Sequence, residues 1–158
     1  KTIEQQIATT GLSNKTVFTG MVSQDDIALY YRLGSLFVSA SQSETQGLTY
    51  IEALTSGLPL LCKKDDCLDN VLIEGETGWS FNNEKEFKDH LTFFLTNPDK
   101  AKEMSKKARE FAISSFSSDS FADKVLSIYQ EAINNNYPKK RGMIKTAYHA
   151  LLDRLPLV

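Results

Sequence analysis

The sequence lacks the features by which several large classes of protein are recognised. No apolar run approaches the roughly 20 residues that a membrane-spanning helix needs, and no signal-peptide pattern opens the chain. The net charge of −2 leaves no basic surplus for nucleic acid. The two cysteines, Cys62 and Cys67, have no histidine near them and are too few for a structural zinc site. We therefore expect a cytoplasmic protein without a nucleic-acid partner, in which both cysteines are reduced thiols.

The composition is otherwise that of an ordinary globular domain. A length of 158 residues with 41% hydrophobic residues is enough to form one domain with a hydrophobic core. The first residue is Lys1 rather than Met, so we expect a fragment of a longer protein.

Short apolar segments alternate with helical patterns along the chain, and glycine, proline and capping residues separate them. The predicted strands are residues 17–18, 36–38, 60–62 and 79–81. The predicted helices are residues 2–10, a helix capped by Ser23 and ending near Gly34, one between Gly47 and Gly57, residues 68–72, 84–96 and 99–116, and one that begins at Ser118. This alternation predicts an α/β fold with a Rossmann-like, doubly wound parallel sheet.

Residues 39–57 have the most informative pattern in the chain. An apolar run enters this stretch, small and polar residues follow, and a helical pattern begins at or near Gly47. Glu44 lies in the predicted loop, and Glu52 lies in the second turn of the predicted helix. Gly57 and, two residues later, Pro59 end that helix. In a parallel sheet such a loop lies where the strands have their carboxyl ends, which is where ligands bind.

This pattern predicts a site for an anion and for hydroxyl groups. The first N–H groups of a helix have no partner within it and carry a partial positive charge, so those of Gly47, Leu48 and Thr49 suit a phosphate. A carboxylate accepts several hydrogen bonds, which allows Glu52 to hold a ribose diol and Glu44 a second polyol. Two carboxylates that flank a phosphate site indicate a sugar nucleotide. The alternative is a solvent-exposed helix residue at position 52 and an ordinary loop carboxylate at position 44.

Residues 43–59 resemble the donor-binding motif of the retaining glycosyltransferases of family 4. That motif has the order Glu-x-x-Gly, four residues, Glu-Ala and a closing Gly-x-Pro. The likeness extends to residues 17–22, 74–79 and 107–117, and covers residues 16–133. It implies the C-terminal, donor-binding half of an enzyme with two Rossmann domains, without the first strands of that half. The residues that match the motif are Glu44, Gly47, Glu52, Ala53, Gly57 and Pro59.

The resemblance also implies a role for each matching residue. The segment Gly20-Met21-Val22 would lie beside the nucleotide base, with the backbone of Met21 or Val22 against uracil. Glu52 would hold the ribose hydroxyls. Glu44 would lie near the hydroxyls of the donor sugar as the catalytic residue; a role as covalent nucleophile is disfavoured, because the family is described as reacting on one face. The backbone N–H groups that would bind the diphosphate and the sugar belong to Gln46, Gly47, Leu48 and Thr49.

Residues 63–70 depart from the family pattern. Family members commonly carry Gly-Gly-x-x-Glu after the third strand, whereas this chain has Lys-Lys-Asp-Asp-Cys-Leu-Asp-Asn. This variant is similar to the branch of the family that glucosylates diacylglycerol in Gram-positive bacterial membranes. No Asp-x-Asp triplet occurs in the sequence, so we expect neither a donor-bridging metal nor another cofactor, as is usual in the family.

Residues 137–158 form a separate segment after the predicted donor domain of residues 1–136. A basic cluster of Lys139, Lys140 and Arg141 precedes an apolar helical stripe. One interpretation is that the stripe packs on the acceptor domain. The other is that the cluster touches anionic lipid on the inner face of a bacterial membrane, where the protein would be peripheral.

The resulting prediction is the donor-binding part of a retaining hexosyltransferase. The whole enzyme would move glucose from a UDP-sugar to a membrane lipid such as diacylglycerol, which the N-terminal domain would hold. The isolated chain is expected to be inactive, because the family's phosphate-binding Arg and Lys lie upstream of it. A surface polysaccharide or a glycoprotein is the alternative acceptor. A sugar-nucleotide epimerase on the same fold and a noncatalytic binding module are the alternative functions.

Overall fold

A computed structural model describes residues 2–42 and 47–135 of the chain. Helices and strands alternate through the first half, and three long helices follow. Short 3₁₀ turns occupy Ser13–Lys15 and Asp66–Leu68. The elements are α1 (Ile3–Thr10), α2 (Ile27–Leu33), β1 (Phe37–Ser39), α3 (Leu48–Thr55), β2 (Leu60–Lys63), β3 (Gly78–Phe81), α4 (Glu84–Thr96), α5 (Pro98–Phe116) and α6 (Ser118–Asn134).

The three strands form a parallel sheet in the order β1-β2-β3. Val38 lies opposite Leu61, which in turn lies opposite Trp79. Leu60, Leu61 and Cys62 of the central strand have no exposed surface. A central parallel strand is covered on both faces, which explains why its sequence is an uninterrupted apolar run rather than an alternating one. The prediction of an α/β fold with a parallel sheet is confirmed.

The core lies where α3 and α5 pack beside the central strand. Tyr50, Ala53 and Leu54 of α3 are fully buried, and Ala108 and Ala112 of α5 are buried with them. The alanines leave room for the two helix backbones to approach closely. Helix α3 is therefore held by its inner face against the rest of the domain.

Side chains of α5 bind the backbone at the carboxyl end of α3. Ser105 Oγ donates to the carbonyl of Gly57 at 2.5 Å, and Arg109 Nη1 donates to the carbonyl of Thr55 at 2.5 Å. The last carbonyls of a helix have no partner within it, and a cation complements their partial negative charge. These two hydrogen bonds hold the carboxyl end of α3.

Most predicted helix boundaries are confirmed. Helix α1 ends at Gly11, α2 ends at Gly34, and α6 begins at Ser118. Asn83 caps α4 by accepting a hydrogen bond from the N–H of Glu86 at 3.0 Å. The prediction of thiols is also confirmed, since no disulfide joins the two cysteines.

Three local predictions are wrong. Residues 17–18 are not a strand: Val17 is 85% exposed, and the described sheet offers these residues no neighbouring strand to pair with. Ser23 does not cap a helix, because its hydroxyl instead donates to the Asp26 carboxylate and α2 begins only at Ile27. The predicted helix at residues 68–72 is replaced by the 3₁₀ turn and a loop, in which the Asp65 side chain accepts the Cys67 N–H.

Two further predictions lie outside the described residues. The loop carboxylate Glu44 and its neighbour Gln46 are not among them, nor is the basic cluster at residues 139–141. Among the residues that are described, no helix is long and apolar enough to cross a membrane.

Changing Ser105 to Ala should destabilise the fold by about 1–2 kcal/mol, because the half-buried Gly57 carbonyl loses its hydrogen-bond donor. Urea unfolding followed by circular dichroism measures the difference. The matched control is Ser114→Ala on the same helix, where the lost hydroxyl donates only to the Phe111 carbonyl one turn earlier. Equal stability of the two variants would contradict a role for Ser105 in holding α3.

Candidate functional site

Gly47 directly precedes α3 in the chain and lies against the turn that follows β2. It is buried and is the N-cap of α3, with a φ of 62° that side chains rarely adopt. A Cβ at this position would lie 3.2 Å from Tyr50 Cδ2 and 3.3 Å from the Cys67 carbonyl oxygen. The start of α3 and the turn carrying Cys67 are therefore in contact, beyond the carboxyl ends of β1 and β2. Glycine is required here by both the backbone conformation and the space.

The first turn of α3 offers N–H groups. Leu48 is 45% exposed and Thr49 is half-buried. The N–H groups of Tyr50 and Ile51 donate to the Gly47 carbonyl at 2.9 and 3.3 Å, whereas those of Leu48 and Thr49 have no acceptor in the part of the chain that the structure describes. Such amides at a helix start can bind an anion.

Glu52 lies one turn further along α3, where its carboxylate is exposed to solvent. The Tyr31 hydroxyl donates to Glu52 Oε2 at 3.1 Å. Burial, the hydrogen bond to Glu52 and the negative charge of that carboxylate together raise the pKa of Tyr31 to about 12. Tyr31 therefore remains a donor at every physiological pH, and Glu52 Oε1 remains available to a ligand.

The ring of Tyr31 is fixed independently of its hydroxyl. Its centroid lies 6.0 Å from that of Phe37 on β1, and the Phe37 ring lies 6.0 Å from that of the fully buried Tyr50 in an edge-on arrangement. Aromatic pairs at this separation attract each other. The three rings connect α2, β1 and α3 behind the Glu52 carboxylate.

The segment predicted to lie beside the base runs over the surface. Met21 is fully exposed, Val22 is half-buried, and Gly20 has a φ of 62°. No hydrogen bond joins this segment to α3 within residues 2–42 and 47–135. The structure thus places Gly47, Leu48, Thr49 and Glu52 on one helix without showing contact between that helix and the predicted base segment.

The charged loop after β2 is largely engaged with the chain itself. The Lys63 ammonium donates to the Asn82 carbonyl and lies 5.9 Å from the centroid of the Phe81 ring. The Asp65 carboxylate accepts the Cys67 N–H at 2.9 Å, which shapes the turn that touches Gly47. The Lys64 backbone donates to the Phe81 carbonyl, and its side chain is exposed. This loop therefore supports the start of α3, and it also carries the exposed, oppositely charged side chains of Lys64 and Asp66.

A cavity of about 240 Å³ lies elsewhere, at the turn before β3. It is lined by Glu76, Trp79, Phe93 and residues of α5 that include Lys100 and Lys107. None of the residues predicted to bind a ligand lines it. We place the candidate site at the start of α3, because amides with no acceptor among residues 2–42 and 47–135 occur there together with an exposed carboxylate.

The sequence patterns did not identify Tyr31 as a site residue. It lies in the predicted helix before β1, and 21 positions separate it from Glu52. The available clue was that a half-buried tyrosine hydroxyl needs a polar partner. The described residues also contain no group of three metal-ligating side chains, and because Glu44 is not among them, the absence of a metal stays a prediction.

Comparison with known proteins decides the family. The family model described as "Glycosyl transferases group 1" matches residues 1–111, which include the whole of the candidate site. The chain belongs to this family. The match also includes α1, whereas the last turn of α5 and the whole of α6 lie outside it.

Two curated relatives of this glycosyltransferase domain carry the same name, alpha-monoglucosyldiacylglycerol synthase. The one from Acholeplasma laidlawii is 34% identical over 76% of the chain and 30% of the relative. The one from Streptococcus pneumoniae is 31% identical over 87% of the chain and 31% of the relative. The chain therefore spans about a third of the length of these relatives.

Solved structures show the same fold. A sucrose-phosphate synthase from Thermosynechococcus elongatus aligns with a TM-score of 0.71 and 24% identity, over 85% of this chain and 34% of that one. The C-terminal domain of a glycosyl transferase group 1 protein from Francisella tularensis aligns with a TM-score of 0.66 and 19% identity, over 73% and 60% of the two chains. The fold is that of the Rossmann-like C-terminal domain of such glycosyltransferases.

The raised pKa of Tyr31 predicts that the stability difference between the wild type and Tyr31→Phe depends on pH. An unfolded tyrosine ionises near 10.0, whereas the pKa of folded Tyr31 is about 12. Because the folded value is the higher one, the protonated hydroxyl stabilises the fold fully below pH 10.0, and this contribution is lost as the pH rises through about 12. Urea unfolding at neutral pH and across this window measures it. A difference that stays constant through the window would contradict the assignment.

Proposed function

We propose that this chain is the donor-binding part of a retaining hexosyltransferase that transfers glucose from UDP-glucose to a membrane lipid such as diacylglycerol. The amide groups of Leu48 and Thr49 bind the diphosphate, and the Glu52 carboxylate accepts hydrogen bonds from the ribose hydroxyls. The observation that carries this proposal is that one helix has an exposed carboxylate and, at its start, amides with no acceptor among the described residues 2–42 and 47–135. Four residues of α-helix rise about 6 Å, which is similar to the separation between a ribose diol and the phosphate on the same nucleoside.

The remaining roles follow from the family pattern in the sequence. Gln46 and Gly47 complete the backbone N–H groups around the diphosphate and sugar, and the Gly20-Met21-Val22 segment lies against uracil. Glu44 acts on the donor sugar as the catalytic carboxylate. The reaction needs no metal or other cofactor. The chain alone has no turnover, because a helix start contributes only about 0.3–1 kcal/mol to holding an anion when it is exposed.

The proposed acceptor rests on the similarity to enzymes that glucosylate diacylglycerol. Two relatives are monoglucosyldiacylglycerol synthases, and a sulfoquinovosyl transferase of Arabidopsis thaliana is 39% identical over 42% of the chain. We propose a lipid acceptor held by the rest of the protein, at the cytoplasmic face of the membrane. Lys139, Lys140 and Arg141 would add electrostatic attraction to anionic lipid there, at about 1 kcal/mol for each basic residue near the surface.

The Glu52→Gln variant of the full-length protein should bind UDP about tenfold more weakly, because a neutral amide replaces a charge-assisted acceptor of the ribose hydroxyls. Isothermal titration calorimetry measures the affinity. Glu44→Gln should instead lower turnover and leave the UDP affinity close to that of the wild type. The control is Glu110→Gln, which removes an equal charge from the exposed face of α5. Unchanged UDP affinity in Glu52→Gln would exclude the proposed ribose contact.

Product analysis tests the acceptor. Incubating the full-length protein with UDP-glucose and vesicles that contain diacylglycerol should yield an α-glucosylated lipid, in the presence of a chelator as well as without it. Transfer to a polysaccharide or glycoprotein instead would overturn the lipid assignment. Conversion of UDP-glucose to an isomeric sugar nucleotide would show an epimerase. Loss of the product with chelator would show that a metal takes part.

A further inference from the structure

We propose that Tyr31 is a positioning residue for the sugar-nucleotide donor: its hydroxyl holds the Glu52 carboxylate in the orientation that accepts the ribose hydroxyls. This inference rests on the proposed role of Glu52 and adds a residue that the donor-binding motif does not contain. Tyr31 acts through Glu52 and makes no contact with the reacting atoms.

The geometry supports this role because the hydrogen bond uses only one oxygen of the carboxylate. Tyr31 donates to Oε2 at 3.1 Å, so Oε1 and the second lone pair of Oε2 can still accept hydroxyl groups. An exposed glutamate without such a bond samples several rotamers, and holding one of them on binding costs side-chain entropy. A carboxylate that is already oriented avoids part of that cost.

The side chain of Tyr31, which donates this hydrogen bond, is itself held rigidly, as a positioning residue requires. The Tyr31 ring packs against Phe37, and Phe37 packs against Tyr50, whose side chain is fully buried. Glu52 lies two residues after Tyr50 on the same helix, so the hydroxyl and the carboxylate are tied to the same core. Removing only the hydroxyl leaves these ring contacts in place, and Tyr31→Phe should therefore fold.

Tyr30 provides a matched control on the same helix. It is 45% exposed, and its hydroxyl makes no hydrogen bond in the described part of the chain. Tyr30→Phe thus removes the same atom from a neighbouring position. Any effect of a lost hydroxyl on general stability or solubility should appear in both variants.

The experiment compares the affinities of UDP and 2′-deoxy-UDP for the full-length protein by calorimetry. Tyr31→Phe should weaken UDP binding about three- to tenfold and weaken 2′-deoxy-UDP binding less, so that discrimination between the two nucleotides falls. Tyr30→Phe should keep the wild-type affinities. In Glu52→Gln, adding Tyr31→Phe should have no further effect, because the two residues act as one unit.

Each outcome separates the inference from the proposed function. If Tyr31→Phe weakens both nucleotides equally, or neither, the hydroxyl has at most a structural role and the inference is wrong. If Glu52→Gln retains full discrimination for the ribose hydroxyl, the proposed function of Glu52 is wrong, whatever Tyr31→Phe does. If the two single variants add in the double variant, Tyr31 does not act through Glu52.

Discussion

The rest of the chain binds the carboxyl end of α3 but leaves its amino end open among the described residues. Ser105 and Arg109 of α5 bind carbonyls at its carboxyl end, whereas the amides of Leu48 and Thr49 at its amino end have no acceptor among residues 2–42 and 47–135. A helix whose inner face and last turn are held by the core cannot shift to satisfy its own first turn. Its open amides are thus presented at a fixed place, beyond the carboxyl ends of the strands. The candidate site depends on this constraint.

The residues that support the site come from distant parts of the chain. The turn after β2 approaches Gly47 closely, since the Cys67 carbonyl oxygen lies 3.3 Å from where a Cβ would be, which is tighter than most Cβ contacts. The hydroxyl of Tyr31, on α2, donates to the Glu52 carboxylate. Helix α3 supplies the groups that would touch a ligand, and its neighbours determine how those groups are held.

The charged loop after β2 supports the start of α3. Its Cys67 carbonyl oxygen lies 3.3 Å from where a Cβ of Gly47 would be. The Asp65 carboxylate accepts the Cys67 N–H and so shapes a 3₁₀ turn. The Lys63 ammonium donates to the Asn82 carbonyl, just after the end of β3.

Local patterns were sufficient where the physical cause is local or where burial is uniform. The apolar run at Leu60, Leu61 and Cys62 predicted a strand, which is the buried central one in the structure. Asn83 and Gly34 marked helix ends, because capping involves only neighbouring residues. The same reasoning was wrong for Val17 and Phe18, since an apolar pair does not reveal whether another strand lies beside it.

The sequence by itself determined the parallel α/β fold, the family motif and the helix that carries Gly47 and Glu52. Only the tertiary structure decided that Tyr31 donates to Glu52 and that Ser105 holds the far end of α3. Tyr31 and Glu52 are 21 positions apart, and Ser105 and Gly57 are 48 positions apart. Hydrogen bonds over such separations depend on how whole elements pack, and packing is a property of many residues together that no short pattern encodes.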